Sequence, residues 1–216
     1  MLDQDRIDEL FARFARADPE QDRRPVAKLG RAPFESLVGV MLSAQSRDAM
    51  TARARRQLLE RAPTPQAILA LDEATIAALI KDCGLYNMKA RNLKRMCAAL
   101  LERHGGVVPE TRKELMALPG VGRKCADIML RFVYGEAVVP VDTHVFRVAR
   151  RTGLAAGRTE AALAVDLAAR VPERWRWGAH MWLLEHGKRI CVARVPRCSQ
   201  CLLDDLCEHN GVTTRG

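Results

Sequence analysis

Hydrophobic side chains recur every three to four residues along most of the chain, which is the spacing of an amphipathic helix. The clearest example runs from Phe34 to Leu42, with apolar residues at i, i+3, i+4, i+7 and i+8. The periodicity predicts further helices over 47–61, 72–82, 87–104, 112–118, 123–134, 143–152, 159–170 and 175–187. One strand-like run, Ala137 to Val141, is interrupted by Pro140. The sequence therefore predicts an all-α fold.

Residues typical of helix ends support these bounds. Asp72 and Thr159 stand where an N-cap side chain would accept a backbone hydrogen bond, and Gly105 follows the end of a predicted helix. Thr111 and Glu114 form the Thr-x-x-Glu pattern of a capping box. The helix bounds are thus indicated by two independent signals, periodicity and capping.

Composition adds information about partners. The 216 residues include 35 Lys and Arg against 26 Asp and Glu, a net charge of +9. This excess favours a polyanionic partner or an anionic membrane surface. The first residues are acidic where a signal peptide would be basic, and no apolar run is long enough to span a bilayer. We therefore expect a soluble, cytoplasmic protein that does not bind membranes.

Seven cysteines are distributed unevenly. Three are scattered through predicted helices, and four are crowded near the end of the chain: Cys191, Cys198, Cys201 and Cys207. The odd number and the clustering argue for a reduced compartment and a metal or cluster site rather than a disulfide framework. Ligand type alone fits zinc and a [4Fe-4S] cluster equally, although zinc sites usually pair two short C-x2-4-C knuckles. Arg194 and Arg197 lie between the first two cysteines, so we expect this loop to contact phosphate.

A glycine-containing turn separates the helices predicted over 112–118 and 123–134. Gly120 and Gly122 permit a tight turn whose backbone amides can face a phosphate at the start of the second helix. This is the pattern of a helix-hairpin-helix, a sequence-independent clamp for the DNA backbone. From the two glycines alone, a plain helical hairpin is an equally good interpretation.

Two side chains near helix starts could carry chemistry. Lys124 lies in the first turn of its helix, where the positive end of the helix dipole favours the neutral, nucleophilic amine over the ammonium. Asp142 is a suitable N-cap for the next helix and could also relay protons or stabilise a cationic sugar. Taken singly, a solvated lysine and a capping aspartate are the simpler interpretations. His144 is expected to pack or form hydrogen bonds rather than to bind a metal.

Five segments together resemble the endonuclease III family of bifunctional DNA glycosylases. They are Met41-Leu42-Ser43-Ala44-Gln45, Gly84-Leu85-Tyr86-Asn87-x-Lys89-Ala90, Leu118-Pro119-Gly120-Val121-Gly122-Arg123-Lys124, Val141-Asp142-Thr143-His144-x-Phe146-Arg147 and the cysteine spacing. They occur in order over roughly residues 26–208, so the resemblance covers most of the chain. Such a combination is far more specific than any one motif.

The resemblance implies a role for each motif residue. Lys124 would be the Schiff-base nucleophile and Asp142 the catalytic carboxylate. Gln45 would fill the gap left by an extruded nucleotide, and Leu85 would wedge beside the orphaned base. The remaining expected DNA contacts and cluster ligands are Gly120, Gly122, Arg123, Arg147, Arg194 and Arg197 for DNA, and Cys191, Cys198, Cys201 and Cys207 for a [4Fe-4S] cluster.

Two residues separate this chain from related branches. Adenine glycosylases of similar architecture carry a catalytic glutamate where Gly39 stands here, and generally lack a lysine at the Lys124 position. Thymine-mismatch glycosylases tend to carry tyrosine at the Lys124 position. Gly39 and Lys124 therefore favour the lyase-competent branch. Val195 departs from the basic residue that many family members have, which predicts weaker DNA contact by the cysteine loop.

The architecture implied by the resemblance has two helical domains with a DNA cleft between them. Residues 26–136 would form a six-helix domain with the hairpin, and residues 1–25 with 137–216 a cluster domain. The implied protein is a monomeric, bacterial-type enzyme of the nucleoid that removes oxidised pyrimidines from damaged duplex DNA and cuts abasic sites. A non-catalytic DNA-binding module is the main alternative, and scarce aromatic residues disfavour an RNA-binding metal-knuckle protein.

Overall fold

The computed structural model of the protein describes residues 1–22 and 32–216. These residues contain α-helices, short 3-10 turns and no strand. The α-helices are α1 (Gln4–Ala17), α2 (Pro33–Ser43), α3 (Asp48–Arg61), α4 (Pro65–Ala70), α5 (Glu73–Leu79), α6 (Tyr86–His104), α7 (Arg112–Met116), α8 (Arg123–Phe132), α9 (Thr143–Thr152), α10 (Glu160–Arg170) and α11 (Glu173–Arg189). The 3-10 turns are Pro19–Asp22 and Cys198–Gln200. The all-α prediction is confirmed.

The helix ends follow the capping signals. Asp72 and Thr159 accept backbone hydrogen bonds at the starts of α5 and α10, and Thr111 does so at the start of α7. Gly105 ends α6 in the left-handed conformation. The strand-like run at 137–141 has no regular secondary structure, because Pro140 cannot donate to a strand ladder and no second strand is present among the described residues.

The described residues divide into two compact units. One contains 1–22 and 137–216, and the other contains 32–136. The boundary expected at residues 25 and 26 lies outside the described residues. Residues 32–136 include seven α-helices, α2 to α8. The expected six did not include α4, a six-residue helix that is too short to show a clear apolar period.

An aromatic cluster organises the core of the unit formed by 1–22 and 137–216. Phe14 of α1 stacks on Trp182 of α11 with ring centroids 6.3 Å apart, and Phe11 lies 6.3 Å from the same indole. His186 meets Phe14 edge-on at 5.3 Å. Buried aromatic side chains contribute much apolar area per residue, so a few of them fix α1 onto α11.

The unit formed by 32–136 has a core of aliphatic side chains. Leu37, Val38 and Leu42 of α2 are fully buried, as are Leu58 of α3 and Leu93 of α6. The apolar face of α2, the strongest pattern in the sequence, is therefore a core face. With its buried side on the core, α2 ends at Ser43 beside the segment that carries Gln45.

Candidate functional site

The turn between α7 and α8 has the geometry that its glycines predicted. Gly120 has φ +80°, and a Cβ there would lie 2.9 Å from Asn92 Cβ and 3.0 Å from Met41 Cε. Glycine is required at this position for both conformation and space. Around Gly122, the N-cap of α8, a Cβ would meet nothing within 4 Å. The backbone at the start of α8 is therefore accessible to a ligand.

A buried carboxylate ties the two helices of this hairpin together. Asp127 of α8 is 2% exposed and accepts a hydrogen bond from Arg112 Nε of α7 at 2.6 Å. Its other oxygen lies 3.6 Å from Arg123 Nε. Arg123, a predicted DNA contact, is thus anchored to α8 by an ion pair.

Lys124 is the second residue of α8 and its side chain is exposed. None of the described residues forms an ion pair or hydrogen bond with its amine. The amine therefore stands in solvent at the positive end of a helix, immediately after a turn with open backbone amides. This arrangement suits attack on a group held by the turn.

Gln45 and Leu85 share an unusual backbone conformation. Their φ angles are +52° and +57°, and His209 is the only other described non-glycine residue with positive φ. Both side chains are exposed, Leu85 to 49% of its surface. Together with Gly120 they line one pocket of about 110 Å³. The left-handed conformation is rare for such residues and costs energy, so surrounding contacts must hold it.

Contacts of this kind come from the buried side chain of Lys89. This lysine belongs to the Gly84–Ala90 motif, but the motif alone did not indicate a role for it. Lys89 Nζ of α6 donates to Leu42 O at 2.7 Å and to Ser46 Oγ at 2.8 Å. Ser46 Oγ in turn accepts from Gly84 N at 3.0 Å. We call this set of bonds the Lys89–Ser46 bridge. It joins the segment that carries Gln45 to the segment that follows Gly84.

Electrostatics explain why a lysine can be buried there. Burial removes water from the Lys89 ammonium and so disfavours its charged form, which lowers the pKa of this side chain. Leu42 O is one of the last carbonyl groups of α2, which have no partner within the helix and carry partial negative charge. An ammonium at this helix end is therefore stabilised. The sequence signal for it was a lysine in phase with the apolar face of α6, four residues before Leu93 and seven before Met96.

Asp142 is the N-cap of α9, in the unit formed by 1–22 and 137–216. Its Oδ1 accepts from the backbone amides of His144 at 2.9 Å and Val145 at 2.8 Å. Its Oδ2 has no hydrogen-bond partner among the described residues. The capping interpretation is confirmed, and one carboxylate oxygen remains available for chemistry. His144 Nδ1 lies 3.1 Å from Arg147 Nη2, so it forms hydrogen bonds as expected.

Three arginines of this unit differ in what they bind. Arg147 Nε and Nη2 donate to Cys191 O at 2.8 Å and to Gly187 O at 2.7 Å. A phosphate contact by Arg147 would therefore compete with bonds inside the protein. Arg194 and Arg197 are exposed, and no described residue pairs with their guanidinium groups. These two arginines are accessible on the loop that precedes Cys198.

The four clustered cysteines line one small cavity, and all of them are free thiols. Backbone amides point at two sulfurs: Leu203 N lies 3.4 Å from Cys201 Sγ and His209 N lies 3.3 Å from Cys207 Sγ. Arg151 Nη1 lies 3.6 Å from Cys191 Sγ. Donors aimed at sulfur stabilise thiolates, which is the form that a metal or cluster binds. The donor set therefore fits a thiolate-ligated group.

A second combination of ligand types is also present at this cavity. Cys198 Sγ, a carboxylate oxygen of Asp204 and a ring nitrogen of His209 lie within 4.8 Å of one another. His209 Nε2 and Asp204 Oδ1 already pair at 2.7 Å. The pairing satisfies these two groups without a metal, which leaves the thiols as the donor set of the cavity.

Among the described residues, no helix combines the length and the apolar character that a membrane span requires.

Comparison with known proteins gives consistent results. Residues 38–173 match the family model of the HhH-GPD superfamily base excision DNA repair proteins. The chain is 44% identical to endonuclease III of Haemophilus influenzae over 88% of this chain and 90% of that protein. It is 43% identical to endonuclease III of Escherichia coli over the same shares. A solved trapped endonuclease III–DNA covalent intermediate is similar, with TM-score 0.87, 34% identity and 97% of each chain covered. The chain therefore belongs to the endonuclease III family of HhH-GPD base excision DNA repair proteins.

Proposed function

We propose that this protein is a DNA glycosylase with AP lyase activity that acts in base excision repair on damaged duplex DNA. The observation that carries the proposal is the exposed, unpaired amine of Lys124 behind the open turn at Gly122. The similar endonuclease III structure is that of a covalent intermediate trapped with DNA. A lysine is the side chain that forms such an intermediate with a sugar carbon by way of a Schiff base.

The proposed reaction requires the damaged nucleotide to leave the base stack of the DNA duplex. C1′ of a nucleotide is inaccessible inside a duplex, so the damaged nucleotide is extruded at a cost of a few kcal/mol. The neutral Lys124 amine attacks C1′, the N-glycosidic bond breaks, and the base leaves with its bonding electrons and takes up a proton. Ring opening gives an iminium between Lys124 Nζ and C1′. The iminium acidifies the 2′ hydrogen, and its removal expels the 3′ phosphate by β-elimination. Water then releases the lysine.

Asp142 is the proposed carboxylate of this reaction. The oxygen that does not cap α9 can accept a proton from the attacking amine or stabilise positive charge on the sugar. Capping by Oδ1 fixes the rotamer of the side chain, so the free oxygen has a defined direction. A negative charge at a helix start is also stabilised by the helix dipole.

The other predicted DNA-binding residues have two proposed roles: some bind backbone phosphates, and others stabilise the opened duplex. We propose that Gly120, Gly122 and Arg123 hold backbone phosphate through the hairpin, and that exposed Arg194 and Arg197 add phosphate contacts. Arg147 would act by joining the start of the cysteine loop, through Cys191 O, to the last turns of α11, through Gly187 O. Gln45 would fill the gap left by the extruded nucleotide and Leu85 would wedge beside the orphaned base, so both would favour the open state. The expected substrates are oxidised, saturated pyrimidines.

We also propose that Cys191, Cys198, Cys201 and Cys207 hold a [4Fe-4S] cluster. When bound, the cluster crosslinks the last part of the chain through four thiolates. The purified protein should absorb broadly in the visible range and contain about four iron atoms per chain. Stoichiometric zinc without iron after anaerobic purification would contradict the assignment. Cys198→Ser should abolish iron binding. The loop around position 198 should become less ordered, while Leu203 stays packed in the core.

Borohydride trapping tests the glycosylase proposal directly. During reaction with abasic-site DNA, borohydride should reduce the iminium to a stable protein–DNA adduct. Lys124→Gln should form no adduct and should not nick, yet should still bind DNA because the hairpin is unchanged. Lys113→Gln, at an exposed lysine of α7, is the matched control and should still be trapped.

Two results would overturn the assignment in different ways. Trapping and nicking by Lys124→Gln at the wild-type rate would show that another amine is the nucleophile. If the wild-type protein bound DNA but neither trapped nor nicked any substrate, a non-catalytic DNA-binding module would be the correct interpretation.

A further inference from the structure

A cavity of about 450 Å³ lies within the unit formed by 32–136, between α2, α3 and α8. Its volume falls in the range of roughly 300–1,000 Å³ typical of small-molecule pockets. One wall is apolar and comes from α8, with Ile128, Phe132 and Val133. The opposite side, from α2 and α3, contributes polar groups and a gap at Gly39. An apolar wall facing a few polar groups is the usual composition of a binding site.

The cavity lies on the same side of α8 as Lys124. Ile128 and Phe132 follow Lys124 at i+4 and i+8, so the three residues lie along one helix face. At 1.5 Å rise per residue, Ile128 is about 6 Å further along the axis. A nucleotide with its sugar at Lys124 could therefore place its base beside the first residue of the apolar wall.

Among the side chains that line this cavity, Arg55 has the largest unused hydrogen-bonding capacity. It is half-buried, and no described residue forms an ion pair or hydrogen bond with its guanidinium. By contrast, the hydroxyl groups of Ser43 and Thr51 donate to backbone carbonyls at 2.7 Å and 3.1 Å. A guanidinium has five N–H donors, so Arg55 is the principal free donor of the cavity.

Gly39 explains how Arg55 is held there without a polar partner. A Cβ at Gly39 would lie 3.0 Å from Arg55 Cδ and 3.6 Å from Nη1. The apolar part of the arginine side chain therefore packs against the bare backbone of α2. Asp48, seven residues before Arg55 on α3, adds an acceptor to the same cavity. The cavity thus offers donors and an acceptor opposite an apolar wall.

We propose that Arg55 donates hydrogen bonds to the ring carbonyl oxygens of a base extruded into this cavity, which makes Arg55 a residue that determines lesion specificity. The inference rests on the proposed glycosylase function. Saturated pyrimidines keep two carbonyl acceptors and an N–H but lose ring planarity. They suit a roomy cavity with donors and an acceptor better than a flat stacking slot. This is the substrate class already expected under the proposed function, and Arg55 would select for its intact ring carbonyl groups.

The test compares a substrate that has a base with one that lacks it. Single-turnover base release is measured on duplex DNA with one 5,6-dihydrothymine, and nicking on duplex DNA with one abasic site. Arg55→Met keeps the arm that packs on Gly39 and removes the donors. It should slow base release by roughly 10- to 100-fold, the effect of losing a hydrogen bond to a charged group, and leave abasic-site nicking within twofold. Arg55→Lys, which keeps a charged donor, should recover part of the loss.

Two further variants separate this role from general effects of charge or folding. Arg56→Ala removes an exposed arginine of the same helix that does not line the cavity, and should not change the ratio of the two activities. Gly39→Leu would displace the Arg55 arm, whose Cδ lies 3.0 Å from the position of the new Cβ, and would intrude on the cavity. It should block base release while abasic-site nicking continues.

The possible outcomes distinguish a failure of the Arg55 inference from a failure of the proposed glycosylase function. Equal loss on both substrates in Arg55→Met, or no loss on either, would overturn the role of Arg55. Normal base release by Gly39→Leu would overturn the cavity. If the wild-type protein processed neither substrate, the proposed glycosylase function itself would fail.

Discussion

Replacing Lys89 by Met should weaken both the fold and the opening of the duplex, because it removes the Lys89–Ser46 bridge. Among the described residues, Lys89 is the one donor to Leu42 O from outside α2, and that bond would be lost, whereas Ser46 Oγ would keep the bond from Gly84 N. Losing a charged hydrogen bond to a buried acceptor costs about 1.5–3 kcal/mol. Relief from burying an ammonium offsets part of that, so we expect a net loss of about 2 kcal/mol.

The change should be visible in both stability and activity. For a chain of this size, 1 kcal/mol shifts the midpoint of thermal unfolding by roughly 2–4 °C, so the variant should melt about 4–8 °C lower. Gln45 and Leu85 would no longer be held in their left-handed conformations. Re-ordering a backbone residue costs about 1–2 kcal/mol, which predicts a roughly tenfold slower release of 5,6-dihydrothymine from duplex DNA. Nicking of a preformed abasic site should change less.

Lys81→Met makes the same chemical change at an exposed lysine of the same unit and should melt like the wild type. If Lys89→Met also melted within 1 °C of the wild type, the bridge would contribute no net stability. If its two activities fell by the same factor, Lys89 would be a packing residue with no particular effect on Gln45 and Leu85.

Two other substitutions and one labelling experiment test separate features of the fold. Gly84→Ala would place a Cβ 2.7 Å from Gln45 O and should cost about 1–3 kcal/mol in denaturant unfolding, whereas Gly122→Ala, with nothing within 4 Å, should not. Asp127→Ala should lower the free energy of unfolding by about 3 kcal/mol, because it leaves a partly buried arginine pair without its carboxylate; an unchanged urea midpoint would refute this. Burial raises the pKa of Cys97 to about 12, so at pH 8 only about one thiol in ten thousand is ionised. Iodoacetamide should therefore label Cys97, as read by peptide mass mapping, only after unfolding; rapid native labelling would contradict its burial.

The sequence predicted the helices well where burial and capping agreed. The α9 helix begins and ends where expected, since Asp142 caps its start and the left-handed Gly153 ends it. The α4 helix was not predicted, because six residues span less than two turns and show no clear period. Shortness alone does not prevent prediction, because the capping box of Thr111 and Glu114 indicated the five-residue α7, whereas α4 has neither a clear period nor a capping box.

The site shows the same division between local and long-range information. The tight turn at Gly120 and the cap at Asp142 follow from residues adjacent in sequence. The Lys89–Ser46 bridge joins residues 43 positions apart. The missing side chain at Gly39 matters because the arm of Arg55, 16 positions later, packs there. Such pairings depend on how helices pack against one another, which hydrophobic periodicity does not specify.

The pairing of α1 with α11 has a consequence for biosynthesis. Phe11 and Phe14 leave the ribosome long before Trp182, their main partner in the core, is made. Domains generally fold as units while the chain is being synthesised, in the order in which they become complete. Residues 32–136 are contiguous, so this unit can fold on the ribosome while α1 still exposes its aromatic face. The proposed cluster ligands are translated later still, which makes the cysteine segment the last part to acquire its structure.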